Sequence, residues 1–315
     1  MSALAFTFVA LLLAGPVPAL LARASWPLRA PRAAIVLWQC IALAAVLSAF
    51  SVGIAIASRL AVPGPDGRPT TTLAGELKAL GGPLCTLYLV VVALTVLVGI
   101  RAITAVIRVA VSTRQRRSHH RTLVDLLGRP DTTATTPAVG SGLRIISVAQ
   151  PLAYCLPGVR SRVVLSEGTL NTLTKPELAA IVSHERAHLR ARHDLVLEMF
   201  TAVHAAFPRF VRSASALGAV RLLVELLADD AAVRTTGTTP LARALVACAA
   251  SRAPRGALAA GGPTTLVRVR RLGGRPNSPL LAAIAYLAAA AVLVVPTVAV
   301  ALPWLHELHR LLFAK

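Results

Sequence analysis

Residues 174–194, TKPELAAIVSHERAHLRARHD, contain the order H-E-x-x-H at His184, Glu185 and His188. Apolar residues recur in this stretch with a helical period, and side chains four residues apart lie on one face of a helix. Two neutral imidazoles in that arrangement suit a single Zn²⁺ ion, and Glu185 would lie beside a water molecule held by the metal. The spacing therefore predicts a hydrolase site on a helix.

The start of this helix carries a signal of its own. Thr174 can cap the N-terminus and Glu177, three residues later, completes a capping box. Leu178, Ile181 and Val182 supply an apolar face. We therefore expect the motif to lie on a capped helix with one buried face.

A second predicted helix, residues 220–234 with the sequence VRLLVELLADDAAVR, supplies two further carboxylates. Glu225 and Asp229 lie one turn apart on it. Catalytic zinc usually has three protein ligands and keeps a fourth position for water, so Glu225 is the candidate third ligand. A neighbouring carboxylate such as that of Asp229 can accept the free N–H of a ligating histidine. Together the two helices predict one Zn²⁺ per chain.

The sequence HERAH followed by E-x-x-A-D resembles the gluzincin metallopeptidases of families M56 and M48. The resemblance implies that His184, His188 and Glu225 are the zinc ligands. It also implies that Glu185 is the catalytic general base and that Asp229 orients a ligating histidine.

The chain is far more apolar and more basic than an ordinary soluble enzyme. Its 315 residues are 56% hydrophobic with a formal net charge of +20, and the mean hydropathy is +0.69. Such a charge also occurs in nucleic-acid-binding proteins, but here arginines lie at the ends of apolar runs, where they meet anionic lipid headgroups. We therefore expect an integral protein of the cell membrane that contacts lipids and does not bind nucleic acid directly.

Four uncharged runs are long enough to cross a bilayer. They cover residues 3–22, 33–58, 79–100 and 276–305. Pro16 and Pro18 should kink the first run. A cleaved signal peptide is the alternative for this run, although it lacks the positively charged n-region of such peptides. The predicted organisation is three transmembrane helices with short loops in residues 1–112, a zinc domain in 113–275, and a fourth transmembrane helix with a short tail in 276–315.

Arginine is concentrated on one side of these spans. It flanks the first loop, follows the third span and precedes the fourth, whereas the short exposed loop at residues 62–72 has no such excess. By the positive-inside rule the zinc domain is cytoplasmic and both chain ends lie outside.

Residues 113–275 are long enough to form a domain of their own. Short strands are predicted at residues 143–150, 152–155 and 162–166, after a flexible loop at 128–142, with helices elsewhere. The expected fold is a multi-pass α-helical membrane protein with a cytosolic α+β zinc metallopeptidase domain, mostly helical with a small sheet. By the resemblance, an edge strand of that sheet binds the substrate peptide, and the candidate residues are Ala153, Tyr154 and Cys155.

The order of the spans favours family M56 over M48. Three spans precede the zinc domain, one follows it, and residues 189–224 are too charged to cross a bilayer, which is similar to the sensor-transducers of the BlaR and MecR type. That resemblance implies a regulatory endopeptidase that cleaves a cytosolic transcriptional repressor of the BlaI or MecI type. The chain ends at Lys315 without an S-x-x-K sensor domain, so we expect no β-lactam sensing. The alternatives are an M48-like quality-control protease of membrane proteins and a catalytically silent signalling scaffold.

Three further basic residues, His193, Arg190 and Arg192, lie close to the motif. His193 follows His188 closely enough to suggest the metzincin pattern H-E-x-x-H-x-x-G-x-x-H, but it comes one position too early. Ala191 also occupies the position of the glycine in that pattern. We therefore assign His193, with Arg190 and Arg192, to a solvated or membrane-facing charge cluster. Arg268 counts among the arginines that precede the fourth span.

Overall fold

The computed structural model of the protein describes most of the chain. The described residues are 2–60, 82–130, 142–158, 161–206, 214–249, 258–259, 264–274 and 277–313. The exposed loop predicted at residues 62–72 and most of the loop predicted at 128–142 lie outside them.

Apolar helices form the two ends of the chain. They are α1 (Ser2–Ala14), α2 (Pro16–Arg23), α3 (Pro31–Leu60), α4 (Gly82–Leu127) and, at the other end, α11 (Pro279–Phe313), and a 3₁₀ turn, Trp26–Arg29, precedes α3. Within the described part of the chain, three segments are long and apolar enough to cross a membrane. These are Pro31–Ser51, Cys85–Leu127 and Pro279–Ala299.

The first apolar run is not one continuous helix. α1 ends at Ala14, and α2 begins at Pro16 after Gly15. Proline breaks a helix from within, because it lacks an N–H and its ring clashes with the preceding turn, but it is well suited to the first position of a new one. The predicted kink is therefore confirmed as a break. The described residues contain three candidate spans where the sequence predicted four.

The region between α4 and α11 combines helices with a small sheet, as predicted. Its elements are β1 (Arg129–Pro130), β2 (Leu143–Ile146), β3 (Ala153–Leu156), β4 (Arg162–Ser166), α5 (Glu167–Thr172), α6 (Lys175–Arg190), α7 (His193–Ala206), α8 (Ala214–Thr236), α9 (Thr238–Ala247), β5 (Leu258–Ala259) and α10 (Thr265–Leu272). The three predicted strands and the two predicted site helices are all present, with boundaries shifted by a few residues.

The sheet fixes the position of the motif helix α6. Its strand order is β1-β2-β4-β3-β5, with β2 and β4 parallel and the other neighbouring pairs antiparallel. Ala180 and Ile181 of α6 share one apolar core with Val163 and Leu165 of β4. Burial of this helical stripe against the strands sets which face of α6 points away from the sheet, towards α8.

Helix α8 also contacts the candidate span α3. Leu223 and Val224 of α8 share a second apolar core with Ile35 and Trp38 of α3. Because Ala232, further along α8, belongs to the core around α6, α8 lies between the motif helix and the candidate span.

Helix α7 runs antiparallel beside the long helix α4. The 46 residues of α4 measure about 69 Å at 1.5 Å per residue, about twice the thickness of a hydrocarbon core. Arg117 of α4 donates to Asp194 at the start of α7 at 3.1 Å, and Arg101 lies 3.4 Å from the carbonyl oxygen of Ala206 at its end. α7 therefore lies alongside the part of α4 that follows the predicted 79–100 span.

Candidate active site

The helix that carries H-E-x-x-H begins where the sequence predicts. Glu177 Oε2 accepts a hydrogen bond from the amide of Thr174 at 2.9 Å. His184, Glu185 and His188 are all buried in the middle of the helix. Polar side chains at this depth need partners, because burial without them is costly. Helices α7, α8 and α10 supply partners for the two histidines.

His184, His188 and Glu225 converge on one point. His184 Nε2 and His188 Nε2 are 3.1 Å apart. Glu225 Oε2 lies 3.4 Å from His184 Nε2, and Glu225 Oε1 lies 3.6 Å from His188 Nε2. A tetrahedral zinc ion with bonds of about 2.0–2.1 Å holds its ligand atoms about 3.3 Å apart. Both the donor types and their spacing therefore fit Zn²⁺.

The second ring nitrogen of each histidine also lies close to a polar side chain. His184 Nδ1 lies 3.0 Å from Asp229 Oδ1, and His188 Nδ1 lies 2.9 Å from His193 Nδ1. A ring that donates from one nitrogen offers the lone pair of the other to a metal. Asp229 lies where an orienting carboxylate is expected. The assignment of His193 to a solvated charge cluster is wrong, because this side chain is only 4% exposed and faces His188.

Arg268 on α10 is the residue of this site that the sequence reasoning misses. It is 1% exposed. Its Nη2 and Nε donate to the two carboxylate oxygens of Asp229 at 2.6 and 2.8 Å, and its Nη1 lies 2.9 Å from Glu225 Oε2. A planar guanidinium can bridge two carboxylates in this way. Arg268 does precede the last span in the sequence, but the expectation that such arginines meet lipid headgroups is wrong for it, because it is buried in the site.

The sequence does contain a weak signal for the burial of Arg268. Helical spacing places this arginine on one face of α10 with Val269 and Leu272, both of which pack against the apolar core around α6. A lone cation within such a stripe indicates a buried anion as its partner.

The buried environment of Glu185 gives its carboxylate a pKa suited to proton transfer. No N–H or O–H group of the described residues donates to its carboxylate oxygens, and the Cys155 thiol lies beside it. Burial raises the pKa of Glu185 to about 7, although the neighbouring His184 opposes the shift. A carboxylate with a pKa near neutrality can take up and release a proton in turn.

Burial and mutual contacts set the charges of the cluster. Burial opposes a charge on His184, but Asp229 and Glu225 raise its pKa to about 9. Burial lowers the pKa of His188 to about 3. Burial also opposes a charge on Glu225, yet His188, His184 and Arg268 lower its pKa to about 2. Near neutral pH the metal-free site therefore holds a proton on His184 that a metal ion must displace.

The predicted substrate strand borders the site but is not an edge. Ala153, Tyr154 and Cys155 form β3 and are buried. β4 pairs with one side of β3, and β5 pairs with the other side, where Tyr154 is opposite Ala259 and Cys155 is opposite Leu258. The expectation of a free edge is wrong here, because β5 completes the sheet. The role of these residues in peptide binding stays a prediction.

Comparison with known proteins identifies the family. The sequence profile described as peptidase family M48 matches residues 114–275, more than half of the chain. No curated protein and no solved structure matches the chain. M48 peptidases are zinc metalloproteases, in keeping with the cluster of His184, His188 and Glu225. The match supports the second of the two family resemblances, and nothing in it supports M56. The chain belongs to peptidase family M48.

Proposed function

We propose that the protein is a membrane-bound zinc endopeptidase that cleaves membrane-anchored proteins close to the bilayer surface. One observation carries the proposal. Helix α8 holds Glu225 on one face and packs another face on the candidate span α3, in the apolar core that contains Val224 and Trp38. Packed helices have axes about 8–10 Å apart. A substrate anchored in the same membrane would therefore have its juxtamembrane segment within reach of the cluster.

The proposed chemistry uses the buried side chains of the site. When bound, Zn²⁺ supplies Lewis acidity towards the scissile carbonyl and acidifies water. His184, His188 and Glu225 would hold it. Glu185 accepts a proton from the attacking water and delivers it to the leaving amine, so that no covalent intermediate with the enzyme is needed. Arg268 keeps the carboxylate of Glu225 ionised and in place.

The family match bears on the choice of substrate. A regulatory protease that cleaves a cytosolic repressor of the BlaI or MecI type is supported only by the order of the apolar runs. Membership of M48 favours the quality-control interpretation, in which the substrates are membrane proteins. The two interpretations use the same chemistry and differ in where the cleaved bonds lie.

A comparison of newly formed protein N-termini in cells tests the proposal. One culture carries the native protein and the other carries Glu185→Gln, a near-isosteric change that removes the general base and typically costs on the order of 10² to 10⁴ in rate. Glu167→Gln is the matched control, because Glu167 is a partly exposed carboxylate that pairs with Arg129 on the surface. We expect new N-termini in membrane proteins with the native and control chains and not with Glu185→Gln.

Other outcomes contradict the proposal in distinct ways. New N-termini confined to a soluble repressor would replace it with the regulatory interpretation. Identical N-termini in the native and Glu185→Gln cultures, with zinc bound in both proteins, would favour the catalytically silent scaffold.

A further inference from the structure

His193 lies directly behind the motif helix at the start of α7. Only Ala191 and Arg192 separate α6 from α7. The His193 ring meets the His188 ring edge-on, with centroids 4.9 Å apart, and the two Nδ1 atoms are 2.9 Å apart. At that distance one imidazole donates a hydrogen bond and the other accepts it.

We propose that His193 is a positioning residue for His188. His193 accepts a hydrogen bond from the Nδ1–H of His188, so that the lone pair of His188 Nε2 is the one offered to zinc. This inference rests on the proposed zinc site and adds one residue to it.

The direction of the hydrogen bond between His188 and His193 follows from the position of the second ring nitrogen of His188. His188 Nε2 faces His184 Nε2 at 3.1 Å and Glu225 Oε1 at 3.6 Å, which is the side where the metal would lie. A neutral imidazole that binds a metal through Nε2 keeps its single proton on Nδ1. His193 therefore accepts on its own Nδ1 and carries its proton on Nε2.

A tight turn holds His193 in this position. Arg192 has a φ of 50°, a left-handed conformation that redirects the chain between the end of α6 and the start of α7. Arg192 Nε lies 3.3 Å from Asp194 Oδ1, and Arg117 of α4 donates to Asp194 Oδ2 at 3.1 Å. Asp194 is buried. These contacts fix the first turn of α7 and leave the His193 ring little freedom to turn away.

The two zinc-ligand histidines of the proposed site have partners of different charge. His184 faces the carboxylate of Asp229, which Arg268 neutralises. His188 faces an imidazole, and a neutral acceptor fixes ring orientation without adding a buried charge. A second carboxylate behind His188 would require a second buried cation.

Zinc affinity of the full-length protein in detergent tests the proposal. After metal removal, affinity is measured by competition with a chromophoric chelator. His193→Leu removes the acceptor, whereas His193→Asn places an amide oxygen near the position of Nδ1. We expect the affinity to fall about 10-fold to 100-fold in His193→Leu and to stay within about three-fold of native in His193→Asn. The visible spectrum of bound Co²⁺ should change in His193→Leu and be native-like in His193→Asn.

One matched control tests whether the effect is specific to His193. His204→Leu, the same change near the other end of α7, should leave zinc affinity and the Co²⁺ spectrum native. Native affinity in folded His193→Leu, or an equal loss in both His193 variants, would overturn the proposal. If His193→Leu does not fold, His193→Asn decides alone, because a loss of about ten-fold or more in that folded variant contradicts the acceptor role.

Glu225→Ala separates this inference from the proposed function. If Glu225→Ala binds zinc as tightly as the native chain, the zinc site itself is wrong and the role of His193 falls with it. If Glu225→Ala loses zinc and His193→Leu does not, only the role of His193 is wrong.

Discussion

Replacing Arg268 by leucine leaves the buried carboxylate of Asp229 and the largely buried carboxylate of Glu225 without their cation. The guanidinium contacts Asp229 at 2.6 and 2.8 Å and Glu225 at 2.9 Å, and it is almost completely enclosed. Removing one partner of a buried ion pair typically costs about 3–5 kcal/mol, because the remaining charge stays out of water. For a domain of about 150–250 residues this corresponds to a fall in apparent melting temperature of roughly 6–20 °C.

The size of this loss should depend on zinc. An ion bound by Glu225 would supply positive charge on one side of the gap that Arg268→Leu leaves. Each ten-fold excess of free zinc over its Kd adds about 1.4 kcal/mol to the stability of the folded state. We therefore expect the largest loss in the presence of a chelator and partial recovery in zinc, since Asp229 would still lack its partner.

Thermal unfolding of the full-length protein in detergent, followed by intrinsic fluorescence with chelator and with zinc, measures both effects. Arg271→Leu is the matched control, because the side chains of Arg271 and its partner Asp230 are 12% and 20% exposed, whereas those of Arg268 and Asp229 are each 1% exposed. Water can therefore replace more of the contacts that Arg271→Leu removes. A fall of less than about 2 °C in chelated Arg268→Leu, or equal falls in the two variants, would refute the view that Arg268 compensates the buried carboxylates.

Three further outcomes are expected. Asp229→Ala should lower zinc affinity or activity about 10-fold to 100-fold. Excess zinc should restore part of the activity of Asp229→Ala and none of the activity of Glu185→Gln. Equal rescue of the two variants would contradict the roles of Asp229 and Glu185. The pKa of about 9 for His184 in the metal-free site predicts that zinc affinity falls about ten-fold per pH unit from about pH 9 towards 7. About one proton should be released when zinc binds. Calorimetry in buffers of different ionisation enthalpy measures the number of protons released. Protonated His184 stabilises the metal-free fold fully below about pH 6.5, and that contribution is lost as the pH rises through about 9. Reporter fusions at Gly140 and after Lys315 should lie in opposite compartments with the zinc domain cytoplasmic, and reporters on the same side would remove one span.

The sequence predicts the part of the site that depends on helical spacing. His184, Glu185 and His188 share a helix, and Glu225 with Asp229 repeat at one turn on another, so local periodicity is enough to group them. The short strands and the break near Pro16 also follow from local residue preferences. None of these features requires knowledge of how distant segments pack.

The residues that the sequence does not reveal depend on tertiary contacts. Arg268 reaches Asp229 across 39 positions in the chain, and its place among other arginines suggests a membrane flank instead. His193 returns to His188 through a left-handed residue, Arg192, that is not glycine, so the turn lacks its usual signal. Strand β5 has only two residues, too few for any periodic pattern.

Strand β5 also bears on how a peptide could compete for β3. A strand has two edges, and β4 and β5 occupy both edges of β3. A peptide that pairs with Tyr154 and Cys155 must replace Leu258 and Ala259, which are tethered to the same chain at an effective concentration on the order of millimolar. A dilute soluble peptide loses that competition. If β3 binds substrate as predicted and the substrates are membrane-anchored as proposed, a segment confined to the same membrane would reach a comparably high local concentration, and proximity would select substrates before any side chain is recognised.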